Sequence, residues 1–244
     1  MVIAARDEAA NIEACVSSVR WAREVIVVEN DSSDDTVERA TRVGATVVSH
    51  PFATIGGQRN AAIERAQCEW ILVVDADERG TPALADEIRA VLIGDPRFEA
   101  YRVPRRNFFL GREIRHGGWE HDRPIRLFRS SLRYNQSRVH EHVETSGEPG
   151  ALTASLEHSP YASLDDYFRK LDTYTKWWAE DRYDRGQRTN VLSLVLRPPA
   201  RFISMYLLRG GWLDGGPGIV LSSLAAASVL GKYARLWEKG FRRE

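Results

Sequence analysis

The sequence is poor in cysteine, in long apolar runs and in repeats. It has two cysteines, Cys15 and Cys68, and neither has a partner at the spacing of a disulfide framework or a metal site. This indicates a reducing compartment, with both thiols as core fillers. The most apolar stretch, residues 218–231, contains three serines and is too short to span a bilayer. Without a basic leader before Val2 we expect no signal peptide, and the abrupt first strand favours a natural start slightly upstream.

Net charge is also absent, because 34 basic residues balance 34 acidic ones. The balance is uneven along the chain. From Arg182 onward there are eleven basic and four acidic residues, which leaves this end at +7. Such asymmetry predicts a surface for phosphates or anionic lipid, and the alternative is a solvated helical face.

The first half of the chain alternates strand-like and helix-like segments. Strands are expected at residues 2–5, 24–29, 45–49 and 70–74, and helices at 9–21, 35–43, 58–66 and 83–92. This alternation predicts an α/β fold with a mostly parallel sheet flanked by helices. Polar, acidic segments follow three of the strands, at residues 6–8, 29–34 and 75–78. Because ligands bind at the carboxyl ends of parallel strands, these segments predict a site on one rim.

The second half has a different pattern. Short strands at residues 101–104, 125–129 and 132–135 predict a mixed-sheet extension. Beyond residue 164 the chain is helical and aromatic, with breaks expected at Pro198-Pro199 and in the glycine-rich residues 210–218. We therefore predict a catalytic domain over residues 1–160, with a nucleotide-binding half (1–98) and an acceptor half (99–160). A helical, amphipathic and basic region would follow over residues 161–244.

Two aspartates after an apolar strand carry the main chemical signal. Asp75 and Asp77 are one residue apart, so in an extended segment both face the same side. Carboxylates of this kind suit Mg²⁺ or Mn²⁺, which usually take one or two of them together with substrate phosphates. A metal at this point would neutralise a departing diphosphate. The alternative is a polar loop after a buried strand.

Several ordered segments together resemble the family 2 glycosyltransferases, in the lipopolysaccharide-core and oligosaccharide β-glycosyltransferase-like branch. They are residues 5–12, 27–36, 56–62 and 70–78, followed by 126–129, 139–141 and 210–215. The resemblance runs nearly end to end, and the ordered set is more specific than any one segment. It implies a GT-A-type Rossmann-like fold and a metal-dependent, inverting transfer from a nucleotide-diphosphate sugar.

The resemblance also implies roles at matching positions. The nucleotide base and ribose would be held by Ala5, Asp7, Glu8, Glu29 and Asn30. Arg59 would lie near the donor diphosphate, Asp75 near ribose or metal, and Asp77 would be the direct metal ligand, with Glu78 structural. Glu29 stands where the family usually has Asp, and Asp31 where Gly is common, which leaves the donor base open.

Inversion requires a carboxylate that takes the proton of the acceptor hydroxyl. Glu141 is the first candidate, since the resemblance matches His140-Glu141, and His140 would ligate the metal or orient Glu141. Asp122 is the second candidate.

The expected partners follow from the same resemblance. They are a nucleotide-sugar donor, with a UDP-sugar favoured, and a saccharide or lipid-linked saccharide acceptor of cell-envelope glycan synthesis. The basic, amphipathic end of the chain predicts peripheral attachment to the inner face of the cytoplasmic membrane, with a helical lid or dimer contact as the alternative. No nucleic-acid partner is expected.

Two other functions remain open: a nucleotide-sugar-binding protein without transferase activity, and a nucleotidyltransferase. A phosphatase with an Asp-X-Asp pair is disfavoured, because Arg79 stands where such enzymes need Thr or Ser.

Overall fold

The computed structural model describes residues 1–51, 54–135 and 141–241. The chain divides into two compact units. The first unit contains Met1–Arg106 and Asp122–His158, and the second contains Asn107–His121 and Ser159–Glu244. The segment Asn107–His121 therefore belongs to the same unit as the C-terminal helices.

The first unit holds the main sheet and four helices among its described residues. Its strands are β1 (Val2–Ala5), β2 (Ile26–Glu29), β3 (Thr46–Ser49), β4 (Trp70–Asp75), β5 (Glu78–Gly80) and β6 (Ala100–Arg102), and, after β7 and β8 of the second unit, β9 (Ile125–Arg129), β10 (Gly150–Ala151) and β11 (Leu156–His158). Its helices are α1 (Ile12–Ser18), α2 (Thr36–Arg42), α3 (Ile55–Ile63) and α4 (Pro82–Ile93).

The main sheet is parallel at its centre and mixed at one side. Its described strand order is β10-β6-β9-β4-β1-β2-β3. Strand β1 pairs parallel with β2 and β4, and β2 pairs parallel with β3. Strand β9 runs antiparallel to β4 and β6. The predicted mixed extension of a mostly parallel sheet is confirmed.

The central strands are buried on both faces, as parallel strands covered by helices must be. Successive side chains of β1 alternate between two cores: Val2 packs with Ile26 on one face, and Ile3 packs with Val27 on the other. This alternation explains why the strands are continuous apolar runs. It also fixes their register, because a one-residue slip would exchange the two faces.

The predicted elements of the first half are confirmed, with shifted ends. Helix α1 covers residues 12–18 where 9–21 was predicted. Helix α3 begins at Ile55 rather than at residue 58, because Thr54 caps it by accepting a hydrogen bond from Gly57 N at 2.9 Å. Strand β4 continues through Asp75, so this aspartate ends the strand.

The strand predicted at residues 132–135 is wrong. Only an isolated bridge joins Tyr134 and Val143 in the described part of this region. The backbone N–H and C=O of Tyr134 are taken by the side chain of Asn60, at 2.9 and 2.8 Å. The groups that would continue a β-ladder there are therefore bonded to a helix residue instead.

The second unit combines a hairpin with long helices. Strand β7 (Arg105–Phe109), whose first two residues belong to the first unit, pairs antiparallel with β8 (Arg112–Ile114). Helices α5 (Leu164–Asp184) and α6 (Val191–Ile203) both pack on α7 (Gly215–Phe241). Its apolar core gathers Phe109, Ile114, Tyr167, Met205 and Leu221.

One expectation for the C-terminal helices is wrong. Pro198 and Pro199 do not break α6, which continues to Ile203 and into a π-helical turn, Ser204–Leu208. Helix α6 lies against α7 along this stretch. Gly210, at φ 68°, does end this helical run, as predicted.

The apolar stretch at residues 218–231 lies inside a helix of 27 residues, α7. Two described runs, Val191–Leu208 and Gly211–Phe241, are long and apolar enough to cross a membrane by length and composition, which is weak evidence of membrane association.

Candidate active site

The carboxyl ends of the central strands meet at one edge of the sheet. The last residue of β1, Ala5, pairs with the last residue of β2, Glu29. On the other side of β1, Ala4 pairs with Asp75, the last residue of β4. The three acidic segments expected to converge therefore begin at neighbouring positions, as the parallel arrangement requires.

The loops after β1 and β2 are joined by hydrogen bonds. Asp7 accepts bonds from Ser33 through one carboxylate oxygen, at 2.7 Å from the backbone N and 3.0 Å from the hydroxyl. Glu8 N donates to Thr36 Oγ1 at 2.8 Å. Asp7 and Asp31 both have positive φ, at 53° and 47°, which aspartate tolerates better than most residues. The Asp31 turn therefore forms without the glycine common in the family.

Asp34 is a second connection that the sequence did not reveal. Its carboxylate accepts from Ala9 N at 3.0 Å and from Thr36 N at 3.0 Å, and it also contacts the Thr36 hydroxyl. An aspartate placed two residues before a helix start is the signal that could have found it. The two loops thus form one preorganised wall.

The predicted base-binding residues lie along this wall with different exposure. Glu29 and Asn30 are buried, and Glu29 Oε2 accepts from Ser32 N at 3.2 Å. Glu8 is partly buried and accepts from Asn11 Nδ2 at 2.8 Å through Oε2. The structure brings Ala5, Asp7, Glu8, Glu29 and Asn30 together, and their contact with a nucleotide stays a prediction.

Asp75 is surrounded by three arginines. Arg59 Nη2 contacts Asp75 Oδ1, and Arg126 Nη2 contacts Oδ2. Arg105 Nη2 lies 3.4 Å from Oδ2. Burial by itself would raise the pKa of Asp75, but the three guanidinium groups outweigh it and hold that pKa well below its usual range. We call Arg59, Arg105 and Arg126 the arginine cluster.

Glu78 contacts two of the three arginines of the cluster from the buried side. It is fully buried, and its Oε1 lies 2.6 Å from Arg105 Nε and 2.9 Å from Arg126 Nη2. Its Oε2 accepts from Asp75 N at 2.8 Å. This carboxylate faces arginines and backbone on the interior side, which matches the structural role expected of it.

Each candidate base is bound to a different arginine of the cluster. Glu141 Oε1 lies 2.9 Å from Arg59 Nη1, and Asp122 Oδ2 lies 3.1 Å from Arg105 Nη1. The Glu141 side chain is 18% exposed and that of Asp122 is 36% exposed, so both are reachable from solvent. The predicted role of His140 lies outside the described residues.

Asp77 has a neighbour that sequence reasoning missed. His158 Nε2 lies 3.8 Å from Asp77 Oδ1. Strand β11 pairs antiparallel with β5, and its register sets His158 opposite Glu78. Burial, and then the positive charge of Arg105, lower the pKa of His158 to about 4, so its imidazole is neutral at neutral pH. No local sequence signal marks this histidine, because a strand pairing 80 residues away in sequence brings it there.

In the described residues, no group of three or more His, Cys, Asp or Glu side chains could hold a metal ion. The candidate ligands present are therefore fewer than a complete protein-only site would need. Asp77 at this rim has His158 beside it, with the imidazole nitrogen 3.8 Å from a carboxylate oxygen.

The chain is similar over nearly its whole length to curated glycosyltransferases. It is 27% identical to the lipopolysaccharide core biosynthesis glycosyltransferase LpsC of Rhizobium meliloti, over 96% of this chain and 89% of that protein. It is 26% identical to an uncharacterized glycosyltransferase of Rickettsia typhi, over 97% of this chain and 85% of that protein.

A solved structure supports the fold. S. aureus TarS, residues 1–349 in complex with UDP, superposes with a TM-score of 0.51 at 16% identity, covering 99% of this chain and 90% of that one. At this identity the likeness concerns the fold, and it confirms the predicted GT-A-type architecture. The sequence model described as Glycosyl transferase family 2 matches residues 1–137, more than half of the chain, including the joined loops and Asp75. The chain belongs to glycosyl transferase family 2 and is a glycosyltransferase.

Proposed function

We propose that this protein is a metal-dependent, inverting glycosyltransferase that uses a nucleotide-diphosphate sugar as donor. The acceptor is a saccharide or lipid-linked saccharide of cell-envelope glycan synthesis, and the name of the Rhizobium meliloti relative favours the lipopolysaccharide core. The observation that carries the proposal is the register of the central strands, which sets Glu29 and Asp75 on either side of the end of β1. This register supports a proposed nucleotide-binding side and a proposed diphosphate- and metal-binding side on one rim of the sheet.

The donor would lie across this rim. The joined loops offer hydrogen-bonding groups for the base and ribose at Ala5, Asp7, Glu8, Glu29 and Asn30. The arginine cluster carries three positive charges close to Asp75 and would attract the diphosphate. We favour a UDP-sugar, and UDP is the ligand of the TarS structure.

Asp77 and His158 fit a divalent metal better than they fit each other as an ion pair. The two side chains offer an imidazole nitrogen and a carboxylate oxygen 3.8 Å apart, and both are atom types that bind divalent cations. Mg²⁺ and Mn²⁺ use one or two carboxylates and complete their shell with substrate phosphates and water. A nitrogen ligand favours Mn²⁺ over Mg²⁺. The bound ion would supply charge neutralisation for the departing diphosphate.

Asp75 was predicted to share in metal binding. Its two oxygens contact arginines, so we propose Asp77 as the first ligand and Asp75 as the group that holds the arginines toward the donor. A metal role for Asp75 stays a prediction and would require one of these contacts to break.

For the base we retain Glu141 first and Asp122 second. A carboxylate removes the proton of the acceptor hydroxyl as that oxygen bonds to the anomeric carbon and the bond to the diphosphate breaks. Glu141 is the less exposed of the two and shares Arg59 with Asp75, which sets it beside the proposed diphosphate position.

A panel of donors tests the proposal. The protein is incubated with UDP-, GDP- and dTDP-sugars, with Mn²⁺ or Mg²⁺, and with or without lipopolysaccharide-core saccharides as acceptors. We expect acceptor-dependent release of nucleoside diphosphate and a product of inverted anomeric configuration by NMR. Consumption of pyrophosphate with release of nucleoside triphosphate would instead identify a nucleotidyltransferase. Tight binding of the donor without turnover on the acceptor would identify a binding protein.

The second unit adds a proposed membrane contact. Four large apolar side chains on α6, Val191, Leu192, Val195 and Leu196, are more than half exposed and lie on one helix face. Arg197 and Arg201 lie within the same helix, and burying charged groups at the centre of a bilayer is costly. We therefore propose that α6 lies in the headgroup region of an anionic, cytoplasm-facing membrane rather than across it. The alternative for this face is a lid or a dimer contact.

A further inference from the structure

We propose that Asn60 is a positioning residue that holds the segment bearing Glu141 in place for catalysis. The inference rests on the proposed function for the role of Glu141, and on contacts within the first unit for the geometry. Asn60 is buried on α3, and it contacts neither the arginine cluster nor Asp75 in the described hydrogen bonds and ion pairs.

The carboxamide of Asn60 bonds the backbone of Tyr134 in the way that a neighbouring strand would. Its Nδ2 donates to Tyr134 O at 2.8 Å, and its Oδ1 accepts from Tyr134 N at 2.9 Å. Both backbone groups are buried, so without Asn60 they would lose these partners, and an unsatisfied buried polar group is costly. An asparagine side chain offers a donor and an acceptor side by side, which is what an extended backbone requires.

Tyr134 lies between two residues whose backbone groups bond the chain just after Glu141. Asn135 N donates to His142 O at 3.0 Å, and Glu144 N donates to Arg133 O at 3.0 Å. Residues 133–135 therefore pair with residues 142–144, and Glu141 is the residue before that pairing begins. Asn60 holds Tyr134, and therefore residues 133–135. Their partners, residues 142–144, directly follow the base candidate Glu141.

Helix α3 approaches this segment closely enough for its neighbouring residues to contribute. At Gly56, a Cβ would lie 2.4 Å from Asn135 O, so only glycine permits this contact. Arg59, the residue before Asn60, lies 5.0 Å from the centre of the Tyr134 ring and 2.9 Å from Glu141 Oε1. One helix thus holds the backbone of the segment through Asn60 and its carboxylate through Arg59.

The consequence is that the distance between Arg59 and Glu141 depends on Asn60. If the segment shifts, Glu141 leaves the positive charge of Arg59 and the proposed diphosphate position together. A purely structural role for Asn60 would lower stability without this specific effect, and the experiment must separate the two.

The test compares Asn60→Asp with Asn107→Asp. Asn107 is a buried asparagine of the second unit whose Nδ2 donates to Trp119 O at 3.0 Å, so the same isosteric change removes a similar bond elsewhere. Hydrogen exchange of the amides of Asn135 and Glu144 reports the pairing of the segment without any activity assay. The kcat and the donor KM, measured separately, report the position of the base.

For Asn60→Asp we expect exchange of these two amides to accelerate at least tenfold. We expect kcat to fall at least tenfold with donor KM within twofold, because the carboxylate of Glu141 leaves the position from which it takes the acceptor proton. Asn107→Asp should change none of these. Should Asn60→Asp fail to fold, Asn60→Ser keeps a hydroxyl that can bond Tyr134 and should show the same changes at smaller size.

Unchanged exchange in Asn60→Asp overturns the inference, and so does accelerated exchange with a normal kcat. Equal acceleration in Asn107→Asp would assign the effect to general destabilisation and would also overturn it. If the wild-type protein transfers no sugar from any donor, the proposed function fails instead, and the exchange comparison alone decides whether Asn60 holds the segment.

Discussion

At the scale of single residues, the arrangement around Asp75 is a set of shared arginines. Arg59 joins Asp75 to Glu141, and Arg105 joins Asp75 to Asp122. The two base candidates are therefore equivalent in kind, since each is a carboxylate on one arginine of the cluster. Their charged contacts do not show which one takes the proton of the acceptor hydroxyl, so the rate of transfer in variants must distinguish them.

Glu141→Gln and Asp122→Asn distinguish the two candidates. Removing a general base costs roughly 10²–10⁴ in rate, so we expect Glu141→Gln to lower kcat by at least about 100-fold. Asp122→Asn should lower it by less than about tenfold. Donor binding, measured by calorimetry, should stay within a few-fold in both. Full turnover by Glu141→Gln would show that another group takes the proton.

His158 offers a second residue-level prediction. Removing one of the two proposed side-chain ligands should weaken Mn²⁺ binding in His158→Ala by at least about tenfold, in the range seen when metal-site residues are altered. Mn²⁺ titration followed by electron paramagnetic resonance measures this without turnover. His116→Ala is the matched control, because His116 Nδ1 also contacts an aspartate, Asp214 Oδ1 at 3.0 Å, in the second unit. Equal Mn²⁺ affinity in the two variants would remove His158 from the proposed site.

At the scale of elements, Glu78 ties strands together. From β5 it contacts the backbone of Asp75 on β4 and the side chains of Arg105 and Arg126, at the start of β7 and on β9. Breaking a buried ion pair by removing one partner costs about 3–5 kcal/mol. Glu78→Gln keeps the shape but loses the charge, so we expect the free energy of unfolding to fall by roughly 3 kcal/mol in urea denaturation.

The control for Glu78 is Glu157→Gln. Glu157 pairs with Arg106 at 3.3 Å, and both side chains are more than 40% exposed. Exposed pairs contribute about 0–1 kcal/mol, so this variant should unfold within about 1 kcal/mol of the wild type. A similar loss in both variants would mean that the arginine cluster does not depend on Glu78.

Helix α6 carries the element-scale prediction for the membrane. The double variant Val195→Asp/Leu196→Asp introduces two charges on its exposed apolar face, and we expect flotation with anionic liposomes to fall at least tenfold. Ile93→Asp, at an exposed isoleucine ending α4 of the first unit, should float like the wild type. Higher salt should weaken wild-type binding, because basic residues contribute to it. Recovery of the wild type wholly in the soluble fraction at low salt, with no liposome binding, would contradict the proposal.

At the scale of the whole molecule, the first unit follows the sequence more closely than the second. Its strands are continuous apolar runs because both faces of the sheet are covered, and such runs are legible in a sequence. The second unit is built from packed helices, and helix propensity alone predicts the ends of such helices less well. Pro198 and Pro199 argue for a break by local rules, yet α6 continues along α7.

The candidate site also has a part that the sequence predicts and a part that it does not. The positions of Asp75 and Asp77 at the end of an apolar strand were predictable, because the strand and the polar turn are adjacent in the chain. The arginine cluster, by contrast, draws Arg59 from α3, Arg126 from β9 and Arg105 from the start of β7. The sequence suggested a donor-binding role for Arg59 alone.

The sequence by itself predicted the α/β class, the mostly parallel sheet and the resemblance to family 2, because these depend on periodicity and on motifs read along the chain. The tertiary structure alone decided that His158 faces Asp77, that the arginines enclose Asp75, and that Asn60 takes the place of a strand beside Tyr134. These contacts join residues 16 to 81 positions apart, so they arise only when distant segments pack together, and no local pattern in the sequence marks them.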